Sequence, residues 1–307
     1  MWIASSLEQV LTPAAIALGN FDGLHLGHQE VIRALPSQPG QAFYRTVLAF
    51  NPHPREFFSG RPQSLLTPMQ EKIALLESAG VDQLLLLPFN RALAALNPEE
   101  FFREILVESL RARHISVGFN FQFGRDRTGT TDDLVRLGEK YGVPVQILTA
   151  QTVDCDRVSS SSIKAALESG DVALANQLLG RSYTLSGMVV KGQQLGRTIG
   201  FPTANLQVPE QKFLPRRGVY RVQVRQENSE KILNGVMNIG CRPTVDGQNS
   251  SIEVHVFDWS EDLYGQTLTV FLAEFLRPEQ KFGSLAELQA QIQLDCDTAR
   301  SQLTSVV

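Results

Sequence analysis

The amino-acid sequence predicts an α/β domain with a parallel sheet, followed by an antiparallel β domain that ends in a helix. Three observations lead to this prediction. The chain has 307 residues, which is more than one hydrophobic core usually holds. Short apolar runs alternate with segments of helical period from residue 14 to about residue 150. After residue 181 the pattern changes to strands of period two separated by glycine-rich turns.

The first half of the chain contains five apolar runs that we interpret as strands of the parallel sheet: AAIAL, TVLAF, QLLLLPF, ISVGF and VPVQILT. Helix starts are predicted at Thr67 and Asn97, because each is a capping residue followed by a proline. Gly80 and Gly142 fit the corresponding helix ends. Two shorter helices are expected at about residues 161–168 and 171–179.

The second half contains five segments with the period of strands: YTLSGMVVKG, GVYRVQVRQE, ILNGVMNIG, SIEVHVFDW and LTVFLAEFLRP. They predict an antiparallel sheet or a small barrel. A capping box from Ser284 to Glu287 indicates a final helix, which we expect to continue to about Leu303. The predicted domains are therefore residues 1–182 and 183–307.

Composition narrows the class of protein further. The net charge of -4 and the pI near 5.8 argue against a large nucleic-acid surface. No apolar stretch approaches the length of a membrane span, so we expect no membrane partner. Cys155, Cys241 and Cys296 are odd in number and far apart, and the N-terminus lacks the pattern of a secretion signal. A cytoplasmic protein with small anionic ligands is the expectation.

The segment GNFDGLHLGHQE (19–30) follows the run AAIAL and places His25 and His28 three residues apart. Ligands of open α/β sheets bind where strands end and helices begin. Free backbone N–H groups of the helix and two imidazole donors beside it suit a polyphosphate. The alternative is that His25 is a loop residue and His28 an exposed residue of the first helical turn. The strand, the glycines and the spacing together favour the functional interpretation.

This segment resembles the HxGH signature of the nucleotidyltransferase superfamily, which implies a Rossmann-like domain. With FNPHP (50–54), VGFNFQFG (117–124) and VSSSSIK (158–164) it resembles specifically the FMN adenylyltransferase module of bacterial bifunctional riboflavin kinase/FAD synthetases. The resemblance implies nucleotide and phosphate contacts by Gly19, Phe21, Asp22, His25, His28, Asn120, Arg125, Ser159, Ser160, Ser162 and Lys164. It implies flavin contacts by Asn51, His53, Pro54 and Phe121.

The chemistry of adenylyl transfer fits this set of residues. The acceptor is a phosphate monoester with a second pKa near ~6, so it is already ionised at neutral pH and needs no protein base. Positioning and charge neutralisation by Mg²⁺, histidine and lysine are sufficient. Two positions depart from the commonest family patterns: Asn120 stands where aspartate is frequent, and Ser162 with Lys164 where STxIR is more usual.

The segment GMVVKGQQLGRTIGFPTANL (187–206) carries a second motif. Gly192, Gly196 and Gly200 recur every four residues, and no GK[ST] sequence occurs in the chain, which excludes an ordinary P-loop kinase. The segment resembles the riboflavin kinase signature GRxxGFPTAN, which implies that the second domain is a β-barrel kinase. In that family Thr203 and Asn205 would contact Mg²⁺ and phosphates, which fits the preference of Mg²⁺ for oxygen ligands. Gly192, Gly196 and Arg197 would complete the nucleotide contacts.

Transfer of phosphate to an alcohol requires a base, because a neutral hydroxyl must lose its proton. Glu253 is the candidate, since it lies within the apolar strand SIEVHVFDW at the position of the family's catalytic glutamate. The alternative is a solvent-facing residue of an amphipathic strand. The segment LQAQIQLDCDTAR (288–300) also matches the kinase family and makes Arg300 a predicted flavin contact; the alternative is a helix that only covers the barrel.

These observations predict a two-domain enzyme that phosphorylates riboflavin to FMN in the second domain and adenylylates FMN to FAD in the first. The expected partners are riboflavin, FMN and ATP, with Mg²⁺ as cofactor; any self-association is expected to be weak. One alternative is a protein in which only the kinase works, because the departures lie in the first domain. A second is a flavin-responsive regulator without turnover, although such a protein has no need of Glu253.

Overall fold

The structure of the protein is a computed structural model that describes residues 1–36, 43–153, 156–192, 196, 199–227, 229–244 and 247–301. The side chains of residues 242–250 lie outside this description. Contacts between Cα atoms divide the chain into two compact units, Met1–Ser160 and Ser161–Val307.

The first unit is an α/β fold. Its strands are β1 (Trp2–Ala4), β2 (Ala14–Leu18), β3 (Tyr44–Asn51), β4 (Gln83–Pro88), β5 (His114–Gly118), β6 (Val145–Leu148), β7 (Thr152–Val153) and β8 (Asp156–Arg157). Its helices are α1 (Leu26–Arg33), α2 (Pro54–Ser59), α3 (Met69–Ser78), α4 (Arg91–Ala95), α5 (Pro98–Glu100), which continues as a π-helix (Phe101–Ser109), and α6 (Thr131–Tyr141).

A six-stranded parallel sheet with the order β1-β4-β3-β2-β5-β6 forms the centre of this unit. All five residues of β2 are buried, as expected for a strand covered on both faces. Alternate residues of β2 point to opposite faces, so Ile16 packs with the π-helix and α6, and Ala17 packs with α1 and α3. This burial explains why the sequence of β2 contains only apolar residues.

The five predicted strands of the first unit are confirmed, but the predicted helix cap at Thr67 is not. Thr67 was predicted to cap α3, yet Pro68 occupies that position without a side-chain hydrogen bond. The Thr67 hydroxyl accepts a hydrogen bond from the Gly23 N–H instead, at 2.9 Å. The short edge strand β1 was not anticipated, because three residues are too few to give a periodic pattern. At Asn97 the predicted cap is present as a complete capping box with Glu100.

The second unit is a closed antiparallel barrel with helices. Its strands are β9 (Thr184–Val190), β10 (Ala204–Gln207), β11 (Gly218–Gln226), β12 (Ile232–Thr244), β13 (Gly247–Val256) and β14 (Thr267–Pro278), in the order β10-β13-β12-β11-β14-β9. Helix α7 (Ser160–Ser169) begins at the last residue of the first unit, and α8 (Val172–Leu179) and α9 (Leu285–Ser301) belong to the second. The predicted fold class is thus confirmed. Of the two predicted alternatives, an open sheet and a barrel, the structure has the closed barrel. Strand β10 lies inside the GFPTANL motif, where no strand was predicted.

Hydrogen bonds explain why α8 groups with the barrel. The Asn176 side chain donates to the Leu272 carbonyl at 2.9 Å and accepts from the Tyr183 N–H at 2.7 Å. Asp171 caps α8 and Gly180 ends it in the left-handed region, as the sequence indicated. The predicted domain boundary between residues 182 and 183 stays a prediction.

The final helix packs on the outside of the barrel. Cys296 and Ala299 of α9 contact Val219, Val236 and Phe257 in one apolar cluster. The predicted capping box is partly present: Ser284 Oγ accepts from the Glu287 N–H at 3.2 Å, while the Glu287 carboxylate accepts from Gly283 N–H at 2.9 Å. Residue 303, where we expected the helix to end, lies outside the described residues.

Among the described residues, none of the helices combines the length and the apolar character that crossing a bilayer requires.

Candidate active sites

Three loops of the first unit follow neighbouring strands at the carboxyl edge of the parallel sheet. Strand β2 leads into the loop with His25, β3 leads into Asn51 and His53, and β5 leads into Asn120. The strand order places β3 on one side of β2 and β5 on the other, so the chain changes direction across the sheet at β2. Ligands of open α/β sheets bind at such a switch point. The three motifs found in the sequence therefore converge on one edge.

The two histidines form a stacked pair at the start of α1. Their ring centroids are 3.6 Å apart and their planes differ by 15°. His25 is the N-cap of α1, and its Nδ1 accepts a hydrogen bond from the His28 N–H at 3.3 Å. In a neutral His25 ring the proton then sits on Nε2, which makes Nε2 a donor. The site thus combines an imidazole donor with the positive end of a helix dipole.

The loop that precedes the histidines is held by buried polar contacts. The Asp22 carboxylate accepts from the Thr67 N–H at 3.1 Å, and the Ser160 hydroxyl donates to the Asp22 carbonyl at 2.7 Å. The Lys72 ammonium donates to the Asn20 carbonyl at 2.9 Å. Burial lowers the pKa of Lys72, and the negative charge of Asp22 opposes that shift. Sequence reasoning missed the contacts of Thr67 and Lys72 with this loop, because the two residues lie 45 and 52 positions beyond their partners.

Besides His25, which is 7% exposed, two predicted nucleotide contacts have buried side chains. Phe21 is fully buried, with its ring centroid 5.0 Å from that of His28, and Asp22 is 3% exposed. A β-carbon on Gly19 would lie 3.2 Å from the Phe21 ring, which explains the glycine at this position. These side chains therefore shape the loop, and only their backbone groups are available to a ligand.

The loop after β3 carries the predicted flavin contacts. His53 is the N-cap of α2, its Nδ1 accepts from the Arg55 N–H at 3.1 Å, and Pro54 follows as the first helical residue. Burial, followed by the positive charges of Arg55 and Lys72, lowers the pKa of His53. The neutral imidazole is therefore favoured at this position.

An exposed aromatic residue next to this loop was missed. Phe58 is 72% exposed, and its ring packs edge-on against Phe57 and Phe89 at centroid distances of 5.2 and 5.9 Å. Phe89 directly follows β4, which neighbours β3 in the sheet. Adjacent phenylalanines at residues 57 and 58 on a short helix were the available signal, since one of the two must face solvent.

The remaining predicted contacts of the adenylyltransferase motifs lie after β5 and around the start of α7. Asn120 and Arg125 are exposed in the segment after β5, and the Phe121 ring is stacked on that of Phe123 at 6.0 Å. Ser159 and Ser160 stand at the end of the first unit, beside α7. Ser162 and Lys164 belong to the second unit, where the Lys164 ammonium lies 5.4 Å from the Phe213 ring centroid.

In the barrel, the strand register brings three polar residues into one row. Asn205 of β10 lies directly opposite Glu253 of β13, and Asn238 of β12 lies opposite Glu253 on its other side. Residues opposite each other in antiparallel strands share one face of the sheet. The predicted base therefore stands between two amide side chains. Asn238 was missed, although a polar residue in the middle of the apolar run VMNIG was a signal for it.

Barrel-interior residues alternate with this row. Met237, Ile239 and Val254 are at most 1% exposed, whereas Glu253 is partly exposed. The predicted glycines stand beside the row: a β-carbon on Gly192 would collide with the Asn205 amide, and one on Gly196 would lie 3.4 Å from the Thr203 hydroxyl. The predicted contact Arg197 lies outside the described residues.

A cavity of about 450 Å³ opens beside Thr203. It is lined by apolar residues of the strands and by the segment that follows β13. The lining residues are Val189, Pro202, Thr203, Ala204, Val254, Val256 and residues 259–264. Its size suits a nucleotide-sized ligand, for which pockets measure about 300 to 1,000 Å³.

Arg300, the predicted flavin contact, has partners within the barrel unit. Its guanidinium binds both oxygens of the Asp258 carboxylate, at 2.9 and 3.1 Å, and lies 4.3 Å from the centroid of the Phe257 ring. Cys296 is buried, which raises the pKa of its thiol to about 11. Cys241 is only partly buried, and both are free thiols.

The α/β unit has a pair of histidine donors suited to phosphates, and the barrel unit holds a carboxylate between two amides. Together these features define the class of bifunctional nucleotide-dependent transferases. A sequence model of the family described as FAD synthetase matches residues 7–162, and one described as riboflavin kinase matches residues 179–303. The chain belongs to the family of bifunctional riboflavin kinase/FMN adenylyltransferases.

Curated relatives with that name support the assignment over nearly the whole chain. The protein from Haemophilus influenzae is 40% identical over 97% of both chains. That from Escherichia coli K12 is 41% identical over 93% of this chain and 91% of its own. That from Bacillus subtilis is 38% identical over 94% of this chain and 92% of its own.

A solved structure from Streptococcus pneumoniae has the same fold under a different name. It is called a macrolide-efflux protein and covers 97% of this chain and 98% of its own, with a TM-score of 0.84 and 30% identity. The two family models match the segments that carry the phosphate-binding and kinase motifs, whereas the efflux name has no counterpart among the site residues described above. The structural similarity therefore supports the fold.

Proposed function

We propose that the barrel unit phosphorylates riboflavin with Glu253 as the base, and that the α/β unit adenylylates the resulting FMN with the His25 and His28 pair. The observation that carries the kinase assignment is the row Asn205, Glu253, Asn238 across three strands. The stacked histidines at the start of α1 support the adenylyltransferase assignment. The predicted domain division at residues 182 and 183 is part of this proposal.

In the kinase step, Glu253 accepts the proton of the terminal ribityl hydroxyl as its oxygen attacks the γ-phosphorus of ATP, and ADP leaves. The Asn205 side chain, directly across from Glu253, orients the phosphates. The hydroxyl of Thr203 and the amide oxygen of Asn205 are hard donors of the type that Mg²⁺ prefers. When bound there, Mg²⁺ would supply charge neutralisation for the phosphates.

In the adenylyl step, an FMN phosphate oxygen attacks the α-phosphorus of a second ATP, and pyrophosphate leaves. No base is required, because the attacking phosphate is already an anion. His25, through Nε2–H, and His28 neutralise the charge that develops on the phosphates, and the positive end of the α1 dipole contributes in the same way. We assign to Asn120, Arg125, Ser159, Ser160, Ser162 and Lys164 further phosphate or nucleotide contacts.

For the flavin, we propose contacts with Asn51, His53, Pro54 and Phe121, and we add Phe58 to this set. Offset stacking on an aromatic ring suits the flat isoalloxazine. The Phe58 ring is 72% exposed and stands on α2, whose N-cap is His53. A Phe58→Ser variant is expected to raise the KM for FMN and to leave thermal stability unchanged, because little apolar area is lost from the core. Arg300 remains the proposed flavin contact of the barrel.

The proposal is tested by product analysis of the purified chain with riboflavin, ATP and Mg²⁺. The wild type should form FMN and FAD, His28→Ala should stop at FMN, and Glu253→Gln should fail on riboflavin yet adenylylate supplied FMN. Arg33→Ala, an exposed residue of the same helix as His28, is the control and should behave as wild type.

Two results would contradict the proposal. A wild type that stops at FMN would identify a kinase without adenylyltransferase activity, in line with the departures at Asn120, Ser162 and Lys164. A wild type that binds flavin but turns over neither substrate would identify a regulator. A cytoplasmic location, weak self-association and the absence of nucleic-acid and membrane partners stay predictions from the sequence.

A further inference from the structure

An exposed ion pair joins the final helix to the segment that walls the cavity of the barrel unit. Arg300 lies in the last turn of α9, and Asp258 lies two residues beyond the end of β13. The Arg300 Nη1 and Nη2 atoms donate to the two carboxylate oxygens of Asp258 at 3.1 and 2.9 Å. This two-point geometry restricts the orientation of both side chains, which a single hydrogen bond does not.

Asp258 stands where the chain changes direction. Its φ of 55° is in the left-handed region, which aspartate and asparagine tolerate better than most residues. Before this turn the chain is the strand that carries Glu253, and after it the chain forms residues 259–264, which line the cavity with Thr203. The orientation of Asp258 therefore determines how this segment leaves the barrel.

The two ends of the cavity segment are held differently. At its far end the Gly265 N–H donates to the Val189 carbonyl and the Val189 N–H donates to the Gln266 carbonyl, both at 2.9 Å. These are backbone contacts with a barrel strand. At its near end the Phe257 N–H donates to the Asn234 carbonyl of β12 at 2.8 Å, and the Asp258 carboxylate adds a side-chain contact with the helix.

The pair contributes little to the stability of the fold. The side chains of Arg300 and Asp258 are 47% and 78% exposed, and exposed ion pairs contribute little to stability because water and salt screen their charges. The cluster beneath them is strong by comparison, because the buried Phe257 packs with Cys296 and Ala299 of α9. The guanidinium lies over this same Phe257 ring. The buried cluster fixes the helix against the barrel, and the Arg300–Asp258 pair restricts the orientation of Asp258. This combination suits a positioning role.

We propose that Asp258 is a positioning residue for the kinase reaction: through its pair with Arg300 it holds residues 259–264 in the conformation that receives the nucleoside triphosphate. This inference rests on the proposed kinase function of the barrel. It also distinguishes two roles of Arg300. A substitution that acts through Asp258 changes the KM for ATP, whereas the loss of a flavin contact changes the KM for riboflavin.

The test uses steady-state kinase kinetics of the full chain with Asp258→Asn, Arg300→Lys and the double variant. Asparagine keeps the size and the left-handed backbone of Asp258, and lysine keeps the charge of Arg300 but loses its fork. Each single variant should raise the KM for ATP about three- to fivefold, which is within what the loss of an exposed ion pair allows. In Asp258→Asn the kcat and the KM for riboflavin should stay within about twofold of wild type, whereas Arg300→Lys, at the proposed flavin contact, should also raise the KM for riboflavin. The double variant should be no worse than either single variant.

Asp297→Asn is the matched control, because it removes the same charge from an exposed position of α9 and should leave KM for ATP unchanged. A second readout does not need turnover: the fluorescence of Trp259, in the cavity wall, is titrated with a non-hydrolysable ATP analogue in a Trp2→Phe background. Asp258→Asn should weaken analogue binding by the same factor as it raises KM.

Three results would overturn the inference: an unchanged KM for ATP with unchanged analogue affinity in Asp258→Asn, a change in the KM for riboflavin alone in Arg300→Lys, or additive effects in the double variant. A wild type without kinase activity would instead contradict the proposed function, while the analogue titration would still test whether Asp258 controls the cavity. The two failures are therefore distinguishable.

Discussion

The rings of His25 and His28 are stacked with centroids 3.6 Å apart, and the backbone N–H of His28 donates to the Nδ1 atom of His25. One hydrogen bond thus caps α1 and also orients the first histidine. The second histidine is placed by the helix itself. Another contact seats this helix on the sheet: the buried Ser116 hydroxyl donates to the Val31 carbonyl at 2.7 Å. The pair is therefore preorganised by the fold, which is how electrostatic catalysis avoids reorganisation during the reaction.

Gly27 lies between the two histidines and offers a test of this geometry. A β-carbon at this position would lie 3.3 Å from Nδ1 and Cε1 of His25, so Gly27→Ala should displace the ring by a few tenths of an ångström. We expect the rate of FAD formation to fall about tenfold, since small misplacements are costly in positioning catalysis. FMN formation should not change.

Thermal stability separates displacement of the ring from damage to the fold. Alanine in a helix is favoured over glycine by about 0.5–1 kcal/mol, so the Gly27→Ala melting temperature should stay the same or rise. Gly138→Ala on α6 is not a suitable control, because its β-carbon would lie 2.6 Å from the Val143 carbonyl oxygen. A lower melting temperature, or an unchanged adenylyl rate, would contradict this account of the site.

Asn238 should support the kinase reaction although it lies outside the signature motif. It stands directly opposite Glu253, so Asn238→Ala removes a polar neighbour of the base and should lower kcat for FMN formation by about ten- to a hundredfold. Asn238→Asp should be worse, because like charges opposite each other in a sheet repel. Steady-state kinetics with riboflavin check both values. A kcat equal to that of wild type in both variants would exclude Asn238 from the site.

The pair of Arg277 and Asp295 should be important for the stability of the barrel unit. Three hydrogen bonds of 2.7, 2.8 and 3.1 Å join the two side chains, which are only 18% and 7% exposed. Asp295→Ala leaves a partly buried guanidinium without its carboxylate and should cost about 3 kcal/mol in the free energy of unfolding, the lower end of the range for a buried pair. Urea denaturation measures this loss.

Asp297→Ala is the control, because Asp297 is exposed and lies two residues further along the same helix. It should change stability by at most about 0.5 kcal/mol. Replacing both partners, as in Arg277→Met with Asp295→Leu, should recover most of the loss, because no buried charge remains. If Asp295→Ala and Asp297→Ala were equally stable, the pair would have no such role.

The stability of the first unit should fall as the pH drops below 6.5, the ordinary pKa of histidine. Burial lowers the pKa of His53, and burial also lowers that of His114. Between pH 6.5 and the lowered values, the unfolded chain binds protons that the folded chain does not, so acidification favours unfolding. Above pH 6.5 both states are neutral and this contribution is constant.

Urea denaturation at pH 7.5, 6.5 and 5.5 checks this expectation, together with a His53→Gln variant that should show a smaller loss of stability on acidification. An NMR titration of the His53 ring should give a midpoint below 6.5. A midpoint above that value would mean that the carboxylate of Asp22, which acts in the opposite direction, outweighs burial and the nearby cations.

The sequence by itself determined which segments carry the chemistry. Four local patterns were sufficient for this: the strand AAIAL, the histidine spacing in GLHLGH, the GFPTAN motif and Glu253 in its apolar strand. Each can be interpreted from residues nearby in the sequence. The period of the hydrophobic residues was sufficient to predict five parallel strands and a change to antiparallel strands. The cap at Asn97 was also local and was predicted correctly.

Only the tertiary structure decided what depends on residues far apart in the chain. The opposition of Asn205, Glu253 and Asn238 is a matter of strand register, and a shift of one residue would turn each side chain to the other face. The use of Thr67 to hold Gly23, and the contact of Arg300 with Asp258, join residues 44 and 42 positions apart. Such contacts leave no periodic signal, because they depend on closure of the sheet and barrel rather than on local conformation.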